Sequence, residues 1–295
     1  MTFRNPFAAK GHWYKANFHT HTTTSDGRAS PAETAELYRR AGYHVLALTD
    51  HNATNDVTGL SGRNFLAISG MEYHPNCPGK TPGNPHHLVA INLPHPFWPD
   101  GYDRDDANAC IAAVKAAGGE SFLCHPLWCG HRYDHYEYLK GFVGVEVYNN
   151  TCDKIARSAG DTDWSQLLDD GRMVGGLAVD DTHSEVDRFG GWTWLKMPRL
   201  TPAAVLEALR TGCYYSSIGP TISDFRVRRG RVEVTCPSAE FIYLSAQTYH
   251  GARRKAEAGK AIRKFACPVG KDWTYVRAVV VDHRGRKAWT NPIVL

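Results

Sequence analysis

The sequence predicts an α/β protein, a barrel of alternating strands and helices followed by a small all-β piece. Three observations carry that prediction. Short apolar runs alternate with capped helical segments through the first two-thirds of the 295 residues. Imidazoles and carboxylates fall repeatedly at the ends of those runs. From about Ile222 the alternation stops, and strand-like runs follow one another without a strong helical pattern. Chain length suits one large domain with a smaller second one, divided here into residues 1–220 and 221–295. A hydrophobic content of 42% is ordinary for a protein that buries a core.

The clearest unit opens at Ser30-Pro31-Ala32-Glu33. Ser30 fits an N-cap, Pro31 the first helical position, and Glu33 completes a capping box. Gly42 stops this helix, and HVLALT runs as a strand to Asp50 and His51. NFLAISGM is the next strand and ends at Glu72. A helix opening at Asp105 or Asp106 ends near Gly118-Gly119, and ESFLC leads to His125. GFVGVEVY carries Glu146. A helix around Trp164 to Asp170 stops at Gly171, and MVGGLAV leads to Asp180, Asp181 and His183. Thr201-Pro202 begins a helix that closes at Gly212. Beyond it, DFRVRRGRVEVTC reads as two strands around an Arg-Gly turn. EFIYLSAQ, AIRKFAC and YVRAVVVD follow as further strands of a β-sandwich-like appendage.

Composition narrows the function classes. A net charge of +4 with Lys and Arg spread along the chain neither demands nor excludes an anionic substrate, and is weak evidence for nucleic acid. The Arg-rich pieces RVRRGR and ARRKAEAGK admit a nucleic-acid surface, but turn and edge positions collect such charges to stay soluble and block edge pairing, and nucleic acid is not expected. No run approaches the roughly 20 apolar residues of a membrane helix, and the opening MTFRNPFAAKGHWYKANFHTHT lacks a signal-peptide core. Eight cysteines without a CxxC pair read as small buried hydrophobes in a reducing cytoplasm, the expected location.

The positions of the polar residues carry the chemistry. His19 and His21 follow a short strand, and Asp50, His51, Glu72, His125, Glu146 and the group Asp180 to His183 end others. In a (β/α) barrel all such ends lie on one face, where the loops build the site. His86 and His87 instead precede their run, LVAINL. An antiparallel pairing of that run with NFLAISGM would set its start beside Glu72. His87 is preferred over His86 because it abuts the run. Imidazoles with carboxylates suit Zn²⁺, Mn²⁺ or Fe²⁺ rather than Ca²⁺, and a carboxylate such as Glu72 can bridge two ions. Asp50 and Asp180 each precede a better ligand and fit orienting roles. Glu146 is either a catalytic group or a carboxylate bonded to a ligand histidine. His131, Arg132 and Arg188 lie in loops where an anionic substrate can be held, an Arg by a bidentate fork, with a plain solvated loop as the alternative.

The pieces FHTHTTTSDG (18–27), LTDHN (48–52), GMEYH (70–74), HHL (86–88), CHP (124–126) and DDTH (180–183) occur in an order that resembles the polymerase and histidinol phosphatase (PHP) superfamily of metal-dependent phosphoesterases. The whole chain is similar to its carbaryl-hydrolase-like branch of metallohydrolases. The resemblance implies a distorted (β/α)7 TIM-like barrel with two or three divalent ions. His19, His21, Glu72 and Asp181 would hold one ion, and Glu72, His87 and His125 a second. Asp26, His51 and His183 would hold a third, the carboxylate favouring a harder ion such as Mn²⁺. The implied activity is hydrolysis of a small anionic phosphomonoester or phosphodiester by a metal-activated hydroxide, with Glu72, Asp181 and His183 at the reacting centre. Hydrolysis of a carboxylic ester, amide or carbamate is the second reading, and a non-catalytic metal-bearing scaffold the third.

Overall fold

The computed structural model describes residues 3–78, 84–98 and 104–295. The chain begins with β1 (His12–Asn17), whose end pairs parallel with β2 (Val45–Leu48). Between them runs α1 (Pro31–Arg40), started by Ser30, which accepts from the Glu33 N–H while the Glu33 side chain reaches back to the cap. All four residues of β2 are buried, which is why HVLALT shows no polar alternation. β3 (Leu66–Tyr73) is parallel to β2, and β4 (Leu88–Ile91) is antiparallel to β3, with Val89 opposite Glu72. The antiparallel pairing expected for LVAINL is thus present.

After α2 (Ala107–Ala116), capped by Asp106, β5 (Glu120–Leu123) pairs antiparallel with β4. Two single turns follow, α3 (Pro126–Cys129) and α4 (Tyr133–Tyr136). Then come β6 (Gly144–Asn149), α5 (Asp161–Asp169) and β7 (Gly175–Val179), with β5, β6 and β7 parallel. A parallel bridge between Thr20 and Thr182 sets the end of β7 beside the end of β1. The result is a mixed α/β fold with parallel strands at its centre. Strict strand–helix alternation fails where β2, β3 and β4 follow one another without a helix among the described residues. Helix α5 lies close on the strands: a Cβ at Gly176 of β7 would come within 2.7 Å of the fully buried Trp164 ring.

Two strands that the sequence pattern did not single out extend the sheet. β8 (Trp192–Met197) pairs antiparallel with β1, and after α6 (Pro202–Arg210) β9 (Tyr214–Ser217) pairs with β8. β10 (Asp224–Arg228) and β11 (Arg231–Ala239) form the expected hairpin, its turn residues Arg229 and Gly230 both at positive φ, as a type I′ turn requires. β12 (Phe241–Ser245), β13 (Gly251–Lys255), β14 (Ile262–Pro268), β15 (Tyr275–Val281), β16 (Lys287–Thr290) and β17 (Ile293–Val294) complete the chain.

The long sheet runs β13-β12-β15-β16-β9-β8-β1 and onward to β7, and a second sheet has the order β10-β11-β14. Phe225, Val232 and Val234 of the second sheet share a core with Tyr215, Ile242, Leu244 and Val280 of the first. The Arg-rich pieces RVRRGR and ARRKAEAGK fall on or beside β10 and β13, the outermost strands of the two sheets. None of the eight cysteines is in a disulfide. Among the described residues no helix is long and apolar enough to cross a membrane.

Candidate metal centre

The loops after β1, β2, β3, β5 and β7, with the residue just before β4, meet around the Glu72 carboxylate, which is 1% exposed. Its two oxygens face different imidazoles. Oε2 lies 3.3 Å from His19 Nε2, 3.4 Å from His21 Nε2 and 2.9 Å from His51 Nδ1. Oε1 lies 2.6 Å from His87 Nδ1 and 3.3 Å from His125 Nε2. Asp181 Oδ1 stands 3.2 Å from His19 Nε2 and 3.1 Å from His21 Nε2. Asp26 Oδ2 lies 3.6 Å from both His51 Nε2 and His183 Nε2. These nine residues gather around the Glu72 and Asp181 carboxylates.

The surrounding residues fix how the rings stand. Glu146 Oε1 accepts from His19 Nδ1 at 2.6 Å, which leaves the His19 Nε2 lone pair facing Glu72 and Asp181. The other Glu146 oxygen accepts from the His125 N–H and from Asn149, which also donates to Asp181. Glu146 thus belongs to the support of His19. His183 Nδ1 donates to the Asp181 carbonyl at 2.9 Å, freeing its Nε2. Asp50 accepts from Thr22, Ser25 and Asn55 and ties down the loop after His21. Asp180 accepts from Tyr38 and from three successive N–H groups, Phe189 to Gly191. His125 and Asp181 both sit at positive φ, 22° and 55°, a strain that packing must sustain.

The charges make sense as a pre-formed cation site. Burial alone would depress the His19 imidazole, yet Asp181, Glu146 and Glu72 together lift it well above its ordinary range. Burial would raise the Glu72 carboxyl, but His19, His125 and His21 hold it well below. Buried carboxylates of this kind require positive charge beside them. His51 Nδ1 is 2.9 Å from Glu72 yet, like His19 Nε2 and His21 Nδ1, makes no hydrogen bond among the described residues. Buried imidazole nitrogens left without a hydrogen-bond partner beside shared carboxylates fit divalent metal ions.

A cleft of about 320 Å³ opens over the centre, lined by Asp26, His51, Glu72, His87, His125 and Asp181 together with Trp128, Thr151, Cys152, Lys154 and His183. None of His131, Arg132 and Arg188 lines it. Gly130 turns left-handed after α3 and the His131 N–H returns to the Pro126 carbonyl, so His131 is buried away from the cleft beside His86. Arg132 is exposed next to Asp134, and Arg188 is half-buried. The cation in the cleft is Lys154, on the 3₁₀ turn Thr151–Ile155 after β6, paired with the buried Asp187. Sequence reasoning missed it; its one signal is that it follows a strand whose interior carries Glu146.

No family model and no curated protein matches the sequence. Among solved structures, a two-domain protein from Bacteroides vulgatus containing a predicted PHP-like metal-dependent phosphoesterase aligns over 100% of this chain and 98% of its own, with a TM-score of 0.56 at 16% identity. The chain shares the fold of that protein. A protein from Bifidobacterium adolescentis proposed to be a metal-dependent phosphoesterase aligns with 58% of the chain and 88% of its own (TM-score 0.39, 18% identity). The lesion-specific endonuclease EndoQ from Pyrococcus furiosus aligns with 68% and 56% respectively (TM-score 0.44, 12% identity).

Proposed function

We propose that the chain is a metal-dependent phosphoesterase that hydrolyses a small anionic phosphomonoester or phosphodiester. The observation that carries this reading is Glu72, whose two buried oxygens each face a separate set of histidines. His19, His21, Glu72 and Asp181 would hold one divalent ion, Glu72, His87 and His125 a second, and Asp26, His51 and His183 a third. Bound ions would supply Lewis acidity to a phosphoryl oxygen and lower the pKa of the attacking water. The chain's own residues do the rest. Lys154 offers an ammonium to a phosphate entering the cleft, and Trp128, beside His87 and His125, shields one wall from water. Asp181, a carboxylate lining the cleft, would orient a water and accept its proton, while His183, with Nδ1 donating to the Asp181 carbonyl, keeps Nε2 for the ion. In the same reading, residues 1–220 form a distorted (β/α)7-type hydrolase unit and residues 221–295 a β-sandwich-like unit.

Trp128 favours a second reading, hydrolysis of a carboxylic ester or carbamate with an aromatic leaving group. Chain loaded with Mn²⁺ or Zn²⁺ separates the two on p-nitrophenyl phosphate, bis-p-nitrophenyl phosphate and p-nitrophenyl acetate, with His19→Ala as control. Turnover of a phosphate ester, lost in the variant, is the expected result. Lys154→Ala should then raise KM about tenfold, the loss of one charge-assisted hydrogen bond of ~1.5 kcal/mol. Turnover of the acetate alone would replace the phosphoesterase reading with the carbonyl one. No turnover of any ester would leave a metal-bearing scaffold.

A further inference from the structure

A second group of metal-ligating side chains lies outside the cleft. Cys77 follows β3, His86 lies two residues before the start of β4, and His131 follows α3; all three are buried. One ligand atom of each lies within 4.8 Å of those of the other two. The hydrogen bonds at the rings determine which nitrogen is available. His131 Nε2 faces the Asn84 carbonyl at 3.3 Å, and a carbonyl only accepts, so Nε2 carries the proton and Nδ1 the lone pair. His86 Nε2 is bonded to Tyr138 Oη at 2.8 Å. Among the described residues, Nδ1 of both rings is buried without a hydrogen-bond partner.

We propose that Cys77, His86 and His131 form a separate soft-ligand site that takes one Zn²⁺ ion. A thiolate with two imidazoles selects zinc over the harder ions suited to the carboxylate-rich cleft. Ligand atoms this close would close on an ion at zinc bonding distances, about 2.3 Å for sulfur and about 2.0 Å for nitrogen, and one tetrahedral position would remain for a water. The thiol proton leaves to solvent as the ion enters. The ion would join the segments before β4 and after α3. The first carries His87 and the second follows Trp128, so both walls of the cleft would be braced from behind. The proposal stands whether or not the cleft hydrolyses phosphate.

Two measurements on the full chain test it. Chelator-washed protein reloaded with Co²⁺ should show near-ultraviolet thiolate-to-cobalt absorption that Cys77→Ser abolishes and Cys129→Ser, beside the cleft, retains. Loss in Cys129→Ser with retention in Cys77→Ser would overturn the proposal, as would a cobalt-loaded wild-type chain without the band. Because Cys77→Ser can impair folding, wild-type crystals soaked in Zn²⁺ provide the second measurement. Anomalous scattering at the zinc edge should give a peak bonded to Cys77 Sγ, separate from peaks at Glu72. Peaks at Glu72 with none at Cys77 would sink it.

Discussion

At the scale of single residues, the rings around Glu72 are useful only if they present the right nitrogen. Glu146 accepts the His19 Nδ1 proton and leaves Nε2 facing Glu72 and Asp181. Glu146→Gln should therefore weaken zinc affinity by roughly 10–100-fold, as orienting partners of metal-bound histidines do, without unfolding the chain; chelator competition reads this directly. His21 makes a pH-dependent case. Burial opposes its charge, but bonds to Asp181 and Glu72 lift it to about 9. With a folded pKa above its free value of ~6.5, the group stabilises the ion-free chain fully below ~6.5, and that contribution is lost as pH rises through about 9. Ion binding has the opposite sign, because only the deprotonated ring ligates. Zinc affinity should rise from neutral pH towards 9, with protons released to solution; a flat profile would place His21 outside the ligand set. Most of the residues around Glu72 lie beside a strand end with a recognisable run, whereas Asp26 sits in the loop before α1 and was given only by the resemblance. Lys154 was not legible, since a 3₁₀ turn leaves no period in the sequence. His131 misled because one left-handed glycine reverses the loop that carries it.

At the scale of elements, capping chemistry was the most readable signal. Ser30 and Thr201 cap the helices they were expected to open, and of the two candidates Asp105 and Asp106 it is Asp106 that caps α2. Strands with continuous apolar runs were equally plain. β9, with the sequence YYSS, was hidden because its buried serines bond to main-chain carbonyls of Gly176 and Pro220 instead of adding apolar surface. The seat of α5 depends on Gly176 having no side chain. Gly176→Ala would force a methyl group against the Trp164 ring, at a cost of about 1–3 kcal/mol. For a chain of this size the melting temperature should fall by ~2–4 °C per kcal/mol. An unchanged melting temperature would show that the ring has room to move.

For the whole molecule, the ladder matters more than any boundary drawn at residue 220. β16 pairs with β9, and Asn291 accepts from the Gly176 N–H while donating to the carbonyls of Gly212 and Tyr214. Removing residues 221–295 would bare the edge of β9 and the apolar face around Tyr215. The truncated chain should be recovered as aggregate, and a monomer with native circular dichroism and undiminished zinc uptake would disprove that dependence. The same pairing sets an order in time. On the ribosome β8 and β9 emerge well before β16, and domains fold from the N-terminus as they emerge. The nascent chain therefore carries a finished row of strands with one open margin until the segment around Asn291 is free. During that interval a neighbouring copy can occupy the margin, so yield should depend on translation speed between residues 217 and 287.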